Sequence, residues 1–309
     1  MKKIWNFLKK HVSEDFNGRY YAVIAVFLIL SISLNYAFDF EDNELETMEG
    51  YPKFFAYVLF YSIPYFFSVY MYAVFKKRKD IFSRRDFWIK SLLAIAVLSL
   101  DSSVPFLDPL VSRIFHPEMY FWAYKVCINS VSFFTVFIPI FIFYWLHERK
   151  HDHVYGLSAR KFDAKPYFTM LLIMLPLIIG ASFHESFQRQ YPMYKSTEAH
   201  VYMNVPEWVT VAGYEFAYGL DFITVEYLFR GFMVIGMMSI LGRGAVVCMA
   251  VVYCFLHFGK PAGEAISSIA GGYILGVVAY ETRSIWGGII VHMGIAWIME
   301  LVAFLQKSV

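Results

Sequence analysis

Seven ionisable residues in the C-terminal half lie within otherwise apolar sequence: Glu215, Asp221, Glu226, Arg230, His257, His292 and Glu300. An ionisable group in hydrocarbon costs at least about 2.5–3.5 kcal/mol, so each one implies a partner or a function. Glu226 and Arg230 stand four residues apart, the spacing that puts a carboxylate and a guanidinium on one face of a helix. His257 ends a later apolar stretch and His292 lies within another. A carboxylate, an arginine and two histidines carried on three apolar helices could converge on one hydrated cavity. Such a set suits hydrolysis. A carboxylate takes a proton from water while one imidazole orients that water. The other imidazole donates to the oxyanion that forms when a peptide carbonyl is attacked, and the arginine fixes the carboxylate and keeps it ionised. The same residues also suit a purely structural role, since buried Glu–Arg pairs clamp helices and histidines near helix ends commonly serve as interface residues.

The elements that carry these groups are membrane-type helices. Of the 309 residues, 59% are hydrophobic, 20% aromatic and only 17% charged, well below the roughly 25% charge of soluble domains. That much apolar surface needs lipid as its solvent, which excludes a nucleic-acid binder, a disulfide scaffold and a disordered linker. The three cysteines, Cys127, Cys248 and Cys254, are far apart and inside apolar stretches, so neither a disulfide framework nor a zinc knuckle is expected. Apolar runs near 20–38, 54–75, 87–107, 126–146, 167–183, 208–240, 245–258, 265–280 and 286–305 predict an all-α polytopic integral membrane protein with eight or nine transmembrane helices. The runs 245–258 and 265–280 are short and glycine-bearing, and are expected to be buried among the others. Lys and Arg number five in 1–19, seven in 76–90 and five in 147–165, against one, two and two in 39–53, 108–125 and 183–207. This asymmetry predicts a cytoplasmic N-terminus and an outward-facing acidic loop from Asp39 to Glu49. No cleavable signal peptide is expected, because the first apolar run is too long for one. The composition changes at about residue 165: 1–165 is aromatic-rich with basic loops, and 166–309 is glycine-rich and holds most of the intramembrane polar groups. Gly272 and Gly276 form a GxxxG pair that predicts close helix packing.

At these residues the sequence resembles the CPBP family of CAAX-type and bacteriocin-processing (Abi) intramembrane proteases, which includes the type II CAAX prenyl endopeptidases. The family motif EExxxR–Gly is matched by Val225-Glu226-Tyr227-Leu228-Phe229-Arg230-Gly231. An aromatic followed after three residues by His is matched by Tyr253 and His257, with Pro261 beyond. HxxxN is matched by His292-Met293-Gly294-Ile295-Ala296. The glycine-rich stretch 270–288 and the YGLSARKF stretch before residue 167 also resemble the family, and the likeness spans roughly 154–305. It implies peptide-bond hydrolysis of a membrane-associated peptide or protein, with Glu226 and Arg230 as the acidic element, His257 positioning water and His292 stabilising the oxyanion. The partners implied are membrane lipids and that substrate, with no nucleic acid, and the location implied by family habit is a bacterial inner (plasma) membrane. Two positions depart from the pattern. The first glutamate is Val225 and the asparagine is Ala296. Asp221, one turn before Val225 and about 40° from it around the helix, is the candidate surrogate base. Glu300 is a weaker candidate for the missing polar partner; a helix-end or headgroup position explains both acids somewhat better.

Two other readings follow from the same residues. The departures at Val225 and Ala296 suit a catalytically degenerate relative that acts as a membrane scaffold. Intramembrane carboxylates and histidines also suit a small proton-coupled transporter, although no repeat relates the two halves. His147-Glu148-Arg149-Lys150-His151 matches the zinc pattern HExxH, with His153 nearby. Interspersed positive charge and no shielding helix favour a solvated juxtamembrane turn instead. No closed ligand set is visible, so no cofactor is assigned and a divalent metal is left without support. Asp101 is expected to bond Ser102 or Ser103 or to lie near the interface. The aromatic run Tyr65, Phe66, Phe67, Tyr70 and Tyr72 is expected to face lipid, and the basic run 76–85 to meet anionic headgroups.

Overall fold

In lipid every backbone N–H and C=O must find its partner within the segment, so apolar stretches of this length fold as helices. A computed structural model describes residues 1–149, 154–158 and 162–307, and no β-strand occurs among them. An amphipathic helix α1 (Lys2–Asp15) precedes α2 (Gly18–Phe38) and α3 (Gly50–Phe75). The helices α4 (Arg85–Ser103) and α5 (Leu107–Ile114) meet at a 42° bend. They are followed by α6 (Pro117–Glu148), α7 (Lys165–Ser182), α8 (Glu207–Leu241), α9 (Gly244–Phe255), α10 (Ala262–Thr282) and α11 (Trp286–Lys307). Short helical turns lie between α7 and α8.

Among the described residues, seven helices are long and apolar enough to cross a membrane, or eight if the bent α4–α5 pair is one span. The protein is thus an all-α polytopic membrane protein. The upper expectation of nine counted 245–258 as a span. That helix, α9, has 12 residues, about 18 Å at 1.5 Å per residue, too short for a hydrocarbon core of about 30 Å. Every one of its residues is buried, and α3, α8 and α10 surround it. The expectation that it is enclosed by other helices holds. The stretch 265–280 is instead part of a 21-residue helix, long enough to span. Gly272 and Gly276 let α10 approach Ala250 and Val246 of α9, the close packing that GxxxG predicts.

One core cluster runs from Tyr20 to Ile289 and joins helices from both compositional halves. The aromatic run of α3 corrects the lipid-facing expectation in part. Tyr70 is 54% exposed, but Tyr65 and Tyr72 are buried, as are Tyr57 and Tyr61. Spaced four or seven residues apart, they line one face of the helix, and two of the hydroxyls find partners on α4: Tyr61 with Ser102 Oγ at 2.8 Å and Tyr65 with Ser91 Oγ at 2.9 Å. A buried tyrosine keeps its apolar body in the core only if its O–H is bonded.

One lysine of the second basic segment is buried rather than solvated. Lys90 of α4 is 4% exposed; its Nζ donates to Gly236 O at 2.7 Å and pairs with Glu148. Tyr155 donates to the same Glu148 carboxylate. The glutamate of the HExxH stretch is therefore committed to a buried clamp rather than to a solvated turn. His151 and His153 lie outside the described residues, and no group of three metal-ligating side chains occurs among the described residues. Of the YGLSARKF stretch, Ala159, Arg160 and Lys161 lie outside the described residues. Gly156, at φ +85°, turns the chain against Ile235 and Ile285, and its carbonyl accepts from Ile285 N at 3.1 Å. Removing one partner of a buried ion pair strands the other. Lys90→Ala is expected to destabilise the protein in detergent by about 3–5 kcal/mol, whereas Lys90→Met combined with Glu148→Met recovers most of that loss. Denaturant titration of the two variants against wild type tests this.

Candidate active site

The site is assembled where α8 changes its winding. Glu226 ends the α-helical part of α8, and Tyr227–Gly236 continues as a π-helix. A π segment re-aims the side chains it carries and is frequent at functional sites. Both Glu226 and Arg230 are fully buried. Arg230 Nη1 donates to Glu226 Oε1 at 2.7 Å, and His292 Nδ1 of α11 donates to the same oxygen at 3.0 Å. One carboxylate oxygen thus holds a guanidinium and an imidazole. The Arg230 guanidinium also lies 4.3 Å from the centroid of the Tyr253 ring, over its face, which supplies a cation–π contact where water is excluded.

Tyr253 of α9 links the two histidines. Its hydroxyl is 3.1 Å from His292 Nε2, and its backbone carbonyl accepts from His257 Nδ1 at 2.8 Å. A carbonyl can only accept, so this bond assigns the proton to Nδ1 of His257 and leaves Nε2 as an acceptor. In the same way the Glu226 carboxylate takes the Nδ1 proton of His292, so its Nε2 is the nitrogen left to exchange protons with a neighbour. His257 and His292 both line a cavity of about 250 Å³, large enough for several waters. Asp221 lines it as well, together with Asp101, Lys260 and Asn129. The five expected residues therefore fall into two layers. Asp221, His257 and His292 face the cavity, and Glu226 with Arg230 is enclosed behind His292.

Sequence reasoning missed several members. Asp101 does not bond Ser102 or Ser103; it accepts from Thr135 Oγ1 of α6 at 2.5 Å and faces the cavity. The rule that drew attention to Asp221, an acid in an apolar span, applied to Asp101 as well. Its position near the end of α4 made an interfacial reading equally good. Tyr253 appeared only as the aromatic of a motif, and Lys260 was not singled out. Of the two departures, Val225 lines the cavity, whereas Ala296 packs with Tyr214, Tyr218 and Phe222. Glu300 is 5% exposed and accepts from Met193 N at 2.7 Å and Tyr194 N at 3.4 Å; it braces the 191–198 loop.

The loop that follows α9 carries His257 and Lys260, and residues from the start of the chain hold it. Asn35 Nδ2 donates to Phe258 O at 3.1 Å and Tyr36 Oη to Lys260 O at 2.6 Å. Glu41 packs on Gly259, where an added Cβ would meet its Oε2 at 2.4 Å. Burial, and then the neighbouring Glu46, raise the Glu41 carboxyl from 4.5 to about 7. The fold thus favours the protonated acid. Its contribution is complete below about 4.5 and is lost as pH rises through about 7. Glu41→Gln is expected to flatten stability across that window and to raise the apparent melting temperature at pH 8, measured in detergent.

The approach of α11 to Glu226 depends on one missing side chain. A Cβ at Gly288 would lie 2.0 Å from Glu226 Oε2. Gly288→Ala must therefore displace the carboxylate from Arg230 and His292. The expected cost is about 1–3 kcal/mol, typical of overpacking, with changed chemical shifts for the His292 ring in NMR spectra of 15N-histidine-labelled protein.

No curated protein and no solved structure matches the chain. Residues 206–298 match the family described as Type II CAAX prenyl endopeptidase Rce1-like. The stretch with that likeness contains Asp221, Glu226, Arg230, His257 and His292, and over it the chain is similar to the Rce1-like family.

Proposed function

We propose that the protein is an intramembrane endopeptidase of the CAAX-protease type, which hydrolyses a peptide bond of a membrane-associated peptide or protein. The observation that carries this reading is the meeting of His257, His292 and Asp221 at one cavity, with Glu226 and Arg230 directly behind His292. In this reading Asp221 takes a proton from water. His257, held as the Nδ1–H tautomer by Tyr253 O, accepts from that water through Nε2 and orients it. Glu226 with Arg230 is the acidic element. It acts through His292, whose Nδ1 it binds, and makes a proton on Nε2 easier to hold while negative charge grows on the carbonyl oxygen. Surrounding apolar residues, among them Phe222, Leu228 and Phe229, strengthen each of these interactions by excluding bulk water.

The cavity lies toward the end of the bundle opposite α1. Helix α1 is tied by Lys10 and Glu14 to Glu281 and Arg243, whereas the cavity is lined by Met193 and Lys260 of loops at the other end. With a cytoplasmic N-terminus, as the charge asymmetry implies, the scissile bond reaches the cavity from the outer side of what we take to be a bacterial inner membrane. Prenyl specificity is not assigned. Val225 on the cavity wall favours a second reading, in which the same cavity binds a peptide without cleaving it.

Purified protein in liposomes, offered quenched fluorogenic peptides with and without a farnesylated C-terminal cysteine, separates the two. Cleavage is expected in wild type and is expected to fall by about 10²–10⁴-fold in both His257→Ala and His292→Ala. Peptide binding without turnover in wild type, or full turnover in both variants, would falsify the hydrolase reading.

A further inference from the structure

We infer that Asp101 and Asp221 form a proton-sharing carboxyl pair, so that α4, which lies outside the family-matched segment, supplies one of the two acids that act in the hydrolysis. The inference rests on the hydrolase reading for its catalytic part only. The two residues lie 120 positions apart in sequence, yet both line the cavity of about 250 Å³ that His257 and His292 also line. They are within electrostatic range of each other. A threonine hydroxyl lies beside each: Thr135 Oγ1 donates to Asp101 Oδ1 at 2.5 Å, whereas Thr224 Oγ1 donates to Asp221 O at 2.8 Å and has Asp221 Oδ1 3.5 Å away. The Thr135 bond fixes the Asp101 rotamer and leaves its second oxygen for water or substrate. Lys260, on the same wall, supplies the one cationic group among the cavity-lining residues.

Two like charges across a small apolar cavity are costly, and sharing one proton removes that cost. A pair in this state contains one acid and one base. For hydrolysis, ionised Asp221 removes a proton from water as the water oxygen bonds to the carbonyl carbon. Protonated Asp101 gives its proton to the amide nitrogen as the C–N bond breaks. The products are a carboxylic acid and an amine. The pair still holds one proton, now on Asp221, which returns to Asp101 before the next turnover. Water supplies all added atoms, and no further reactant is needed.

Infrared difference spectra of the full-length protein in nanodiscs test the pair without a substrate. A carboxylic-acid C=O band that shifts on deuterium exchange is expected in wild type. It should be lost in both Asp101→Asn and Asp221→Asn and retained, at an altered frequency, in Asp101→Glu. A band lost in only one Asn variant, or in neither, overturns the shared proton. If an Asn variant does not fold, an unaltered band in Asp101→Glu serves as the same refutation. Turnover of the fastest-cleaved fluorogenic peptide then tests the use of the pair. Asp101→Asn is expected to lower kcat by about 100-fold or more with little change in KM. Unchanged kcat in Asp101→Asn, with His292→Ala inactive, overturns the role of Asp101 while leaving the hydrolase reading intact. The expected infrared result with no turnover in wild type supports the pair and overturns its hydrolytic use.

Discussion

A carboxylate and a guanidinium with no solvent exposure must satisfy each other, and the C-terminal half of this protein is organised around that requirement. Glu226 and Arg230 are both fully buried. Taking such charges out of water costs several kcal/mol each, recovered only through good geometry and additional donors. The protein supplies those from three directions: the winding of α8 that keeps Arg230 against Glu226, the Nδ1–H of His292 from α11, and the ring face of Tyr253 from α9. Each source has its own packing condition. Gly288 removes the atoms that would occupy the carboxylate's place, and α9 can present Tyr253 because it is enclosed on all sides. Arg230 Nε and Nη2 and Glu226 Oε2 have no hydrogen-bond partner among the described residues.

The cavity beside this pair is a product of the whole bundle. Its polar wall comes from α4, α6, α8, α11 and the loop after α9, so helices on both sides of residue 165 contribute. The N-terminal half also determines where the loop sits. Asn35, Tyr36 and Glu41 bind its backbone or pack on it, which holds His257 and Lys260 at the cavity rim. A catalytic group displaced by 1 Å loses much of its effect, so under the proposed function these distant supports matter to the chemistry as well as to the fold. Lys90, buried at the other end of α4 between Glu148 and Gly236, anchors the same helix that carries Asp101.

The two departures from the family pattern differ in consequence. Ala296 is packed among Tyr214, Tyr218 and Phe222, where an asparagine amide would need its own partners. Val225 stands on the cavity wall, with Asp221 and Asp101 lining the same space.

Much of this was legible in the residues alone. Length and apolarity determined the helices and the membrane, because lipid allows few alternatives to a helix. Four-residue spacing determined that Glu226 and Arg230 share a face, since helix geometry is local. Period and hydropathy carry no information on which faces of different helices meet. The structure alone decided that Tyr253 joins the two histidines, that Glu226 lies behind His292 instead of at the cavity, and that Glu300 braces a loop. It also decided that Asp101 and Asp221 line one cavity. Their helices are brought together by packing between residues 120 positions apart, and a single carboxylate in an apolar segment contains no record of the partner it will face.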